Sequence, residues 1–536
     1  MISEEKMKSF WPWQPILLAT VFIFGIIIGG TLDIYNPQTA DASDKSKKGW
    51  TRSKSDHYKL VEALRFIDAQ YISDVNSDEL MDIALRAVFD SLDPHSFYIS
   101  QGEFQDVNER TRGDFEGIGV EYVRIEDTVV VVRVIDEGPA KEAGIRSGDK
   151  ILRANGISLS NIESTDSIKK LIKGPAGSEV ALQVLHPTGP DPNVYQVKRN
   201  KIPYHSVDFS GKIDSNIGYI KLSHFNGNAY QEFMEALESL SSDYKIDKLI
   251  IDVRDNPGGY LSEVVKILSQ LFIDGGRLLV STENGEGLQK EFKSTGKNFY
   301  TVEHIAVLVN SNSASASEIL AGALQDWERG IVFGQRTYGK GLVQEQFGLT
   351  DGSAIRLTTA KYLTPSGRMI QRPYKQTDYS NSNAKRLKSG EFFSADSIKH
   401  LDSTSFKTQY GSPLVSGEGI IPDEFISLDS FIFSDCYFWS SSFYQKFIYE
   451  YIYRRGEIKS DLHIPKMMSE WTLFLKDQKE YSEYCDDITL HLDHYEKYLT
   501  YYFYLFNNDV QSAYFANITR DQSINYIINF WEQNLK

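Results

Sequence analysis

The sequence predicts a multidomain chain that mixes α/β and α+β architecture, and three observations carry that expectation. At 536 residues the chain is too long for one hydrophobic core, so roughly two to four domains are expected. Hydrophobic residues make up 41% and charged residues 24%, a globular balance that excludes a mostly disordered chain. From Lys201 onward β-branched runs alternate with helical periodicity, the pattern of layered strands and helices whose strand C-termini gather on one edge. The formal charge of −16 argues against a nucleic-acid groove and against binding to anionic lipid.

The N-terminus reads as a membrane element. No residue between Lys8 and Asp33 is charged, and Ile16 to Ile28 is almost wholly apolar. A bilayer core needs about 20 apolar residues as helix, so residues 1–35 are expected to be a transmembrane signal-anchor. Trp11 and Trp13 would lie at the interface, with Lys6 and Lys8 on the cytoplasmic side. The alternative is a cleaved signal peptide ending at Ala40-Asp41-Ala42. That triplet stands well beyond the apolar run, which favours the uncleaved anchor. Either way the remaining chain is exported. The polar stretch 36–55 suits a tether.

Residues 56–111 carry apolar side chains at helical spacing: Leu60, Leu64 and Ile67, then Leu80, Ile83, Ala84, Ala87 and Val88. Ser91 to Ser96 breaks the pattern, because Pro94 disfavours helix at the residue before it. Residues 112–200 read as strands at 117–123 and 128–135, a short glycine-framed helix within 137–149, a strand at 150–156, a helix at 164–172 and a strand at 179–185. In 201–424, the strand at 217–222 precedes a helix at 229–240. The strand at 248–253 leads through Asn256-Pro-Gly-Gly259 into a helix ending near Phe272. The strand at 304–309 leads through a polar turn into a helix at 317–327, followed by a short strand at 331–333. Residues 425–536 are aromatic-rich and helical in pattern, with no chemical motif. Both cysteines, Cys436 and Cys485, fall there; they read as two unpaired thiols, with a single bridge as the alternative.

Three turns at predicted strand ends are chemically loaded. In Asp252-Val-Arg-Asp-Asn-Pro-Gly-Gly259 two glycines let backbone N–H groups approach and point at an anion, although Pro-Gly-Gly is also a plain turn. In Ser313-Ala-Ser-Ala-Ser-Glu318 a serine at a helix N-terminus lies where N–H groups can stabilise an oxyanion. The same residues fit a capping box between Ser315 and Glu318. In Gly339-Lys-Gly341 the lysine is a solvated charge if exposed and a base if buried, since desolvation lowers its pKa. Of the ten histidines, none lies in such a turn. His95, His205, His224 and His304 read as structural. The Gly-x-Ser-x-Gly pattern is absent around Ser315. If Ser315 is a nucleophile, a Ser-Lys arrangement is the available chemistry.

From about Ser91 to Asp423 the chain resembles the C-terminal processing peptidases, or tail-specific proteases. The ordered elements are Leu92-Asp-Pro-His-Ser96, Phe115-Glu-Gly-Ile-Gly119, Gly138-Pro-Ala with Gly-Asp149, Arg254 to Gly259, Ser313 to Glu318, Gly339-Lys-Gly341, Thr358 to Gly367 and Gly419-Ile-Ile-Pro-Asp423. The resemblance implies a crotonase/ClpP-like α/β core over 201–424 with an inserted PDZ domain over 112–200. It implies Ser315 as nucleophile, Lys340 as general base and Gln344 as the residue that orients the lysine. The oxyanion hole would be the N–H of Ala316 with that of Gly258 or Gly259. Gly117, Ile118, Gly119 and Val120 would capture the C-terminal carboxylate of a protein substrate's tail, and docking would order or move the PDZ domain relative to the site. No metal or organic cofactor is implied. The expected location is the bacterial inner membrane, anchored by the N-terminal helix with the catalytic part in the periplasm; a homo-oligomer or an adaptor partner stays open. Two rival readings are a non-catalytic PDZ adaptor and a crotonase-like acyl-CoA enzyme. The joint presence of Ser315, Lys340 and Gln344 opposes the first, and the PDZ-like insertion opposes the second.

Overall fold

The computed structural model describes residues 58–374, 381–398, 405–416, 419–453, 462–485 and 488–535. The chain divides into two compact units, Met1–Ile83 and Ala84–Lys536. In the first, the helix Lys59–Gln70 buries none of its residues. The single-pass membrane location expected from the N-terminus is corrected here. Among the described residues no helix is long and apolar enough to cross a membrane. The anchor and tether read over residues 1–35 and 36–55 lie outside the described residues.

Within the second unit, a six-stranded antiparallel sheet forms the PDZ-like part. It comprises Val120–Ile125, Thr128–Val134, Lys150–Ala154, Ile157–Ser158, Glu179–Leu185 and Asn193–Lys198. Ser164 caps its helix Thr165–Ile172 by accepting from the Ser167 N–H. The run Thr-Val-Val-Val-Val-Arg-Val lacks the alternation of a half-buried strand, and the packing explains why. Val129, Val131 and Val134 face the PDZ core, whereas Val130 and Val132 face the aromatic C-terminal helices.

Residues 201–424 are built around a second six-stranded sheet. Ile217–Leu222, Lys248–Asp252, His304–Val309, Ile331–Gly334 and Glu424–Phe425 run parallel, with Val207–Asp214 antiparallel at one edge. Helices Ala229–Asp243, Leu261–Leu271 and Ala316–Asp326 cover one face. The other face, with Phe209, Tyr219, Ile250, Ala306, Leu308 and Phe333, is covered by Ile518, Ile524, Ile527 and Trp531 of the C-terminal helices. Those strands are apolar on both sides because both sides are buried. A further antiparallel sheet joins Gly275–Asn284, Gln289–Thr295, Leu342–Gly348 and Ala354–Leu363 to the short strand Phe97–Ile99. That short strand interrupts a segment expected to be helical, and it forms because a long partner strand supplies its ladder.

The C-terminal helices Tyr444–Tyr453, Ile464–Lys476, Leu492–Phe506, Val510–Thr519 and Gln522–Asn534 thus pack on both sheets. The reading of two unpaired thiols is also corrected: Cys436 and Cys485, 49 residues apart, form a disulfide. Aromatic packing brings their short helices together, with Trp439 stacked on Tyr484 at 5.9 Å between centroids.

Candidate active site

Two parallel strands, Lys248–Asp252 and His304–Val309, deliver the first two loaded turns to the same edge of the sheet. The turns are laced together. Asn256, fully buried, donates from Nδ2 to the Leu222 carbonyl at 2.7 Å. Its own carbonyl accepts from the Ala314 N–H at 3.0 Å and from Ser317 Oγ at 2.9 Å. Ser313 Oγ donates to the Val253 carbonyl at 2.7 Å. Ser315 ends this lacing as the residue before the helix Ala316–Asp326, at φ +56 and ψ −113. A non-glycine residue there carries backbone strain of about 1–3 kcal/mol, tolerated where the surroundings over-determine it. Gly258 lies directly against it: a Cβ there would fall 2.7 Å from Ser315 Cβ.

Glu318, one turn into the helix, ties the serine turn to the lysine turn. Its carboxylate accepts from the N–H of Ser315 at 2.9 Å, of Gly339 at 2.7 Å and of Lys340 at 2.8 Å, and from Thr337 Oγ1 at 2.6 Å. The capping interaction expected between Ser315 and Glu318 is therefore present on the Glu318 side, and it reaches well beyond a cap. Burial pushes Glu318 up to about 7 against the pull of these hydrogen bonds.

Ser315, Ala316, Gly258, Gly259, Lys340 and Gln344 all line one cavity of about 660 Å³. The structure also separates the two glycines. The Gly258 N–H is taken by Asn256 Oδ1 at 2.8 Å, and Gly258 is buried whereas Gly259 is exposed toward the cavity. Lys340 is half-buried, and burial, reinforced by the Arg356 cation, pushes its amine down to about 8, while Glu318 and Asp93 pull the other way. Gln344 sits at a bulge, where the register against Ala354–Leu363 shifts between Val343 and Gln344. Its Nε2 donates to the Leu342 carbonyl at 3.2 Å.

Sequence reasoning missed three neighbours of this site. Arg356 and His224 line the same cavity. His95 comes close enough for the Lys340 charge to act on it; burial first and that charge second push it down to about 4. The segment bearing His95 is stapled in place, with Asp93 Oδ1 accepting from Thr358 Oγ1 at 3.2 Å and Ser96 Oγ from the Thr358 N–H at 3.0 Å. Thr358 stands opposite Gln344 in the ladder. No local pattern around His95 announces this, because the contact depends on a strand more than 250 residues away.

Gly117, Ile118, Gly119 and Val120 line a separate cavity of about 290 Å³ together with Tyr122, Ile172 and Lys173. The Ile118 carbonyl accepts from the Ala140 N–H at 2.8 Å. In a trans peptide the N–H points opposite its carbonyl, so the Gly119 N–H faces away from that contact. Gly119 has φ +79, and a Cβ there would meet Gly138 Cα at 2.8 Å, so only glycine fits. The two cavities have a shared wall. Glu109 borders the smaller one, and its helix neighbours Asn108 and Thr111 border the larger. Tyr204, in the smaller cavity, lies 3.0 Å from His224 Nε2 in the larger.

Residues 216–380 match peptidase family S41 and residues 117–197 match the PDZ domain. The chain is 32% identical over 371 residues to a probable CtpA-like serine protease of Staphylococcus aureus, covering 69% of this chain and 72% of that one. It is 31% identical over 391 residues to the carboxy-terminal processing protease CtpB of Bacillus subtilis, covering 69% and 80%. Among solved structures it is similar to the photosystem II D1 C-terminal processing protease, at 28% identity and a TM-score of 0.36, covering 61% of this chain and 93% of that one.

Proposed function

The chain belongs to peptidase family S41, and we propose that this serine endopeptidase cleaves protein tails with Ser315 as nucleophile and Lys340 as general base. The observation that carries the reading is the single cavity lined by Ser315, Ala316, Gly259 and Lys340, with Glu318 bonded to both turns. Neutral Lys340 takes the proton from Ser315 Oγ, which attacks the scissile carbonyl. The N–H groups of Ala316 and Gly259 stabilise the oxyanion; Gly259 is preferred because the Gly258 N–H is already held by Asn256. Collapse expels the amine, which receives the proton from Lys340, and water releases the acyl-enzyme. Gln344, on its bulge in the same cavity as the lysine, orients the amine through its side-chain oxygen.

The substrate's terminal carboxylate is captured by the N–H groups of Gly117–Val120, with its last side chain in the cavity bounded by Tyr122 and Ile172, and the tail extends the sheet along Val120–Ile125. The Cys436–Cys485 disulfide supports substrates in an oxidising compartment, where such bonds persist.

The test is cleavage of an unfolded reporter with an apolar C-terminal tail. Wild type is expected to cleave it, and Ser315→Ala and Lys340→Ala to lose at least roughly a thousandfold in kcat/KM. Amidating the tail is expected to raise KM about tenfold or more with kcat little changed. Full turnover by either variant would refute the dyad. Tight binding of the tail without any turnover by wild type would favour an adaptor.

A further inference from the structure

Beyond the region that carries the family match, the C-terminal helices send one carboxylate into the catalytic turn. Asp521 is buried and caps the helix Gln522–Asn534, accepting from the Ser523 N–H with Oδ1 at 2.9 Å. Its other oxygen accepts from Arg254 Nη1 at 2.9 Å and from Lys497 Nζ at 3.2 Å. Arg254 belongs to the turn that runs to Gly259. Its Nη2 and Nε bond Asp252 Oδ2 at 2.6 and 3.0 Å. Asp252 is itself fully buried and also accepts from Tyr219 Oη at 2.7 Å and Lys221 Nζ at 3.3 Å. The Arg254 carbonyl accepts from Lys221 Nζ at 2.6 Å.

The guanidinium is a rigid planar fork. Here one side of the fork grips the core, and the other side reaches a carboxylate 267 residues further along the chain. Immediately after Arg254 the backbone turns through Asp255 at φ +61 and Asn256 to the two glycines. A displaced fork therefore displaces Gly259, the oxyanion donor on this turn. Against the upward push of burial, the Arg254 and Lys497 cations hold the Asp521 carboxyl below its usual range, so it is an anion at neutral pH.

We propose that Asp521 is a positioning residue for peptide hydrolysis: through Arg254 it fixes the turn Asp252–Gly259 in the geometry that receives the oxyanion. This rests on the assignment of Ala316 and Gly259 as oxyanion donors. Such donors act only when about 2.7–3.1 Å from the developing charge, and a misplacement of about 1 Å costs on the order of a hundredfold in rate. The extension is thus part of the catalytic apparatus although it touches no substrate.

The test uses the full chain and a small activated ester too short to span to the PDZ groove. Asp521→Asn keeps a favoured capping residue and removes the charge; Asp521→Ser keeps a capping oxygen and cannot reach Arg254. Both are expected to lower kcat roughly 10- to 100-fold with KM changed less than about twofold, and Asp521→Glu to recover most of the loss. Tyr526→Phe deletes a different bond between extension and core, from Tyr526 Oη to Glu424 at 3.1 Å, and is expected to leave kcat unchanged. Wild-type kcat in both Asp521→Asn and Asp521→Ser, or an equal loss in Tyr526→Phe, overturns the proposal. Ser315→Ala run alongside separates the two readings: if it is inactive while the Asp521 variants are normal, only the positioning role falls; if it turns over normally, the catalytic assignment falls and takes this inference with it.

Discussion

The turns at Asp252–Gly259, Ser313–Glu318 and Gly339–Gly341 and the C-terminal extension both bury polar atoms, but they use them differently. In the turns, Glu318 accepts four hydrogen bonds and Asn256 is bonded at its amide nitrogen, its side-chain oxygen and its carbonyl. In the extension, the Tyr444 hydroxyl, the Trp471 indole N–H and the Thr500 hydroxyl are buried without a hydrogen-bond partner among the described residues. They sit inside a cluster of packed rings, with Tyr444 stacked on Tyr498 at 5.6 Å and Trp471 edge-on to Phe447 at 5.1 Å. Directional bonds give each atom of the site one position, which chemistry requires. Apolar burial is non-directional and supports the extension even where a hydroxyl goes unsatisfied. The two meet at Arg254 and Asp521, where the extension makes a charged, directional bond to the core.

The largest way to break this contrast is Glu318→Leu. It leaves four donors, two buried and two part-buried, without an acceptor, and each buried loss costs about 1–3 kcal/mol. The variant is expected to lose roughly 4 kcal/mol or more in urea unfolding and to show no measurable proteolysis. A loss below about 1 kcal/mol would mean that packing, and not this carboxylate, holds the turns. The smallest expected effect sharpens the other side. Tyr444→Phe removes a buried hydroxyl that has no partner among the described residues, so its stability should change by less than about 1 kcal/mol, in the stabilising direction. A loss above about 2 kcal/mol would show that the hydroxyl is bonded and that the extension is not held by rings alone.

The same contrast governs what was legible beforehand. The parallel strands, their following helices and the turns at Asp252–Gly259, Ser313–Glu318 and Gly339–Gly341 are local in sequence, and periodicity and glycine content announce them. The extension reads as helical for the same reason, but its partners do not. That it covers the second face of both sheets shows only as missing alternation in strands such as Thr128–Val134, a signal equally compatible with any cover. The Cys436–Cys485 pairing, the position of His95 near Lys340 and the Arg254–Asp521 bond all join distant segments, and no spacing encodes them. The choice between Gly258 and Gly259 needed the direction of one N–H, which is a property of the folded turn.

The most direct measurement of the central claim is the pH dependence of Ser315 modification by a fluorophosphonate, followed by mass of the modified peptide between about pH 6 and 10. Burial and Arg356 hold Lys340 down to about 8, and its neutral form is the base. The rate should therefore climb with pH, level off above about 8, and at about pH 6 be on the order of a hundredfold below its plateau. The inflection near pH 8 should vanish in Lys340→Met; Glu318, pushed up to about 7, titrates below it, and His95, held at about 4, is neutral throughout and should not set it. An inflection that persists in Lys340→Met and disappears in His95→Ala would contradict the Ser-Lys assignment.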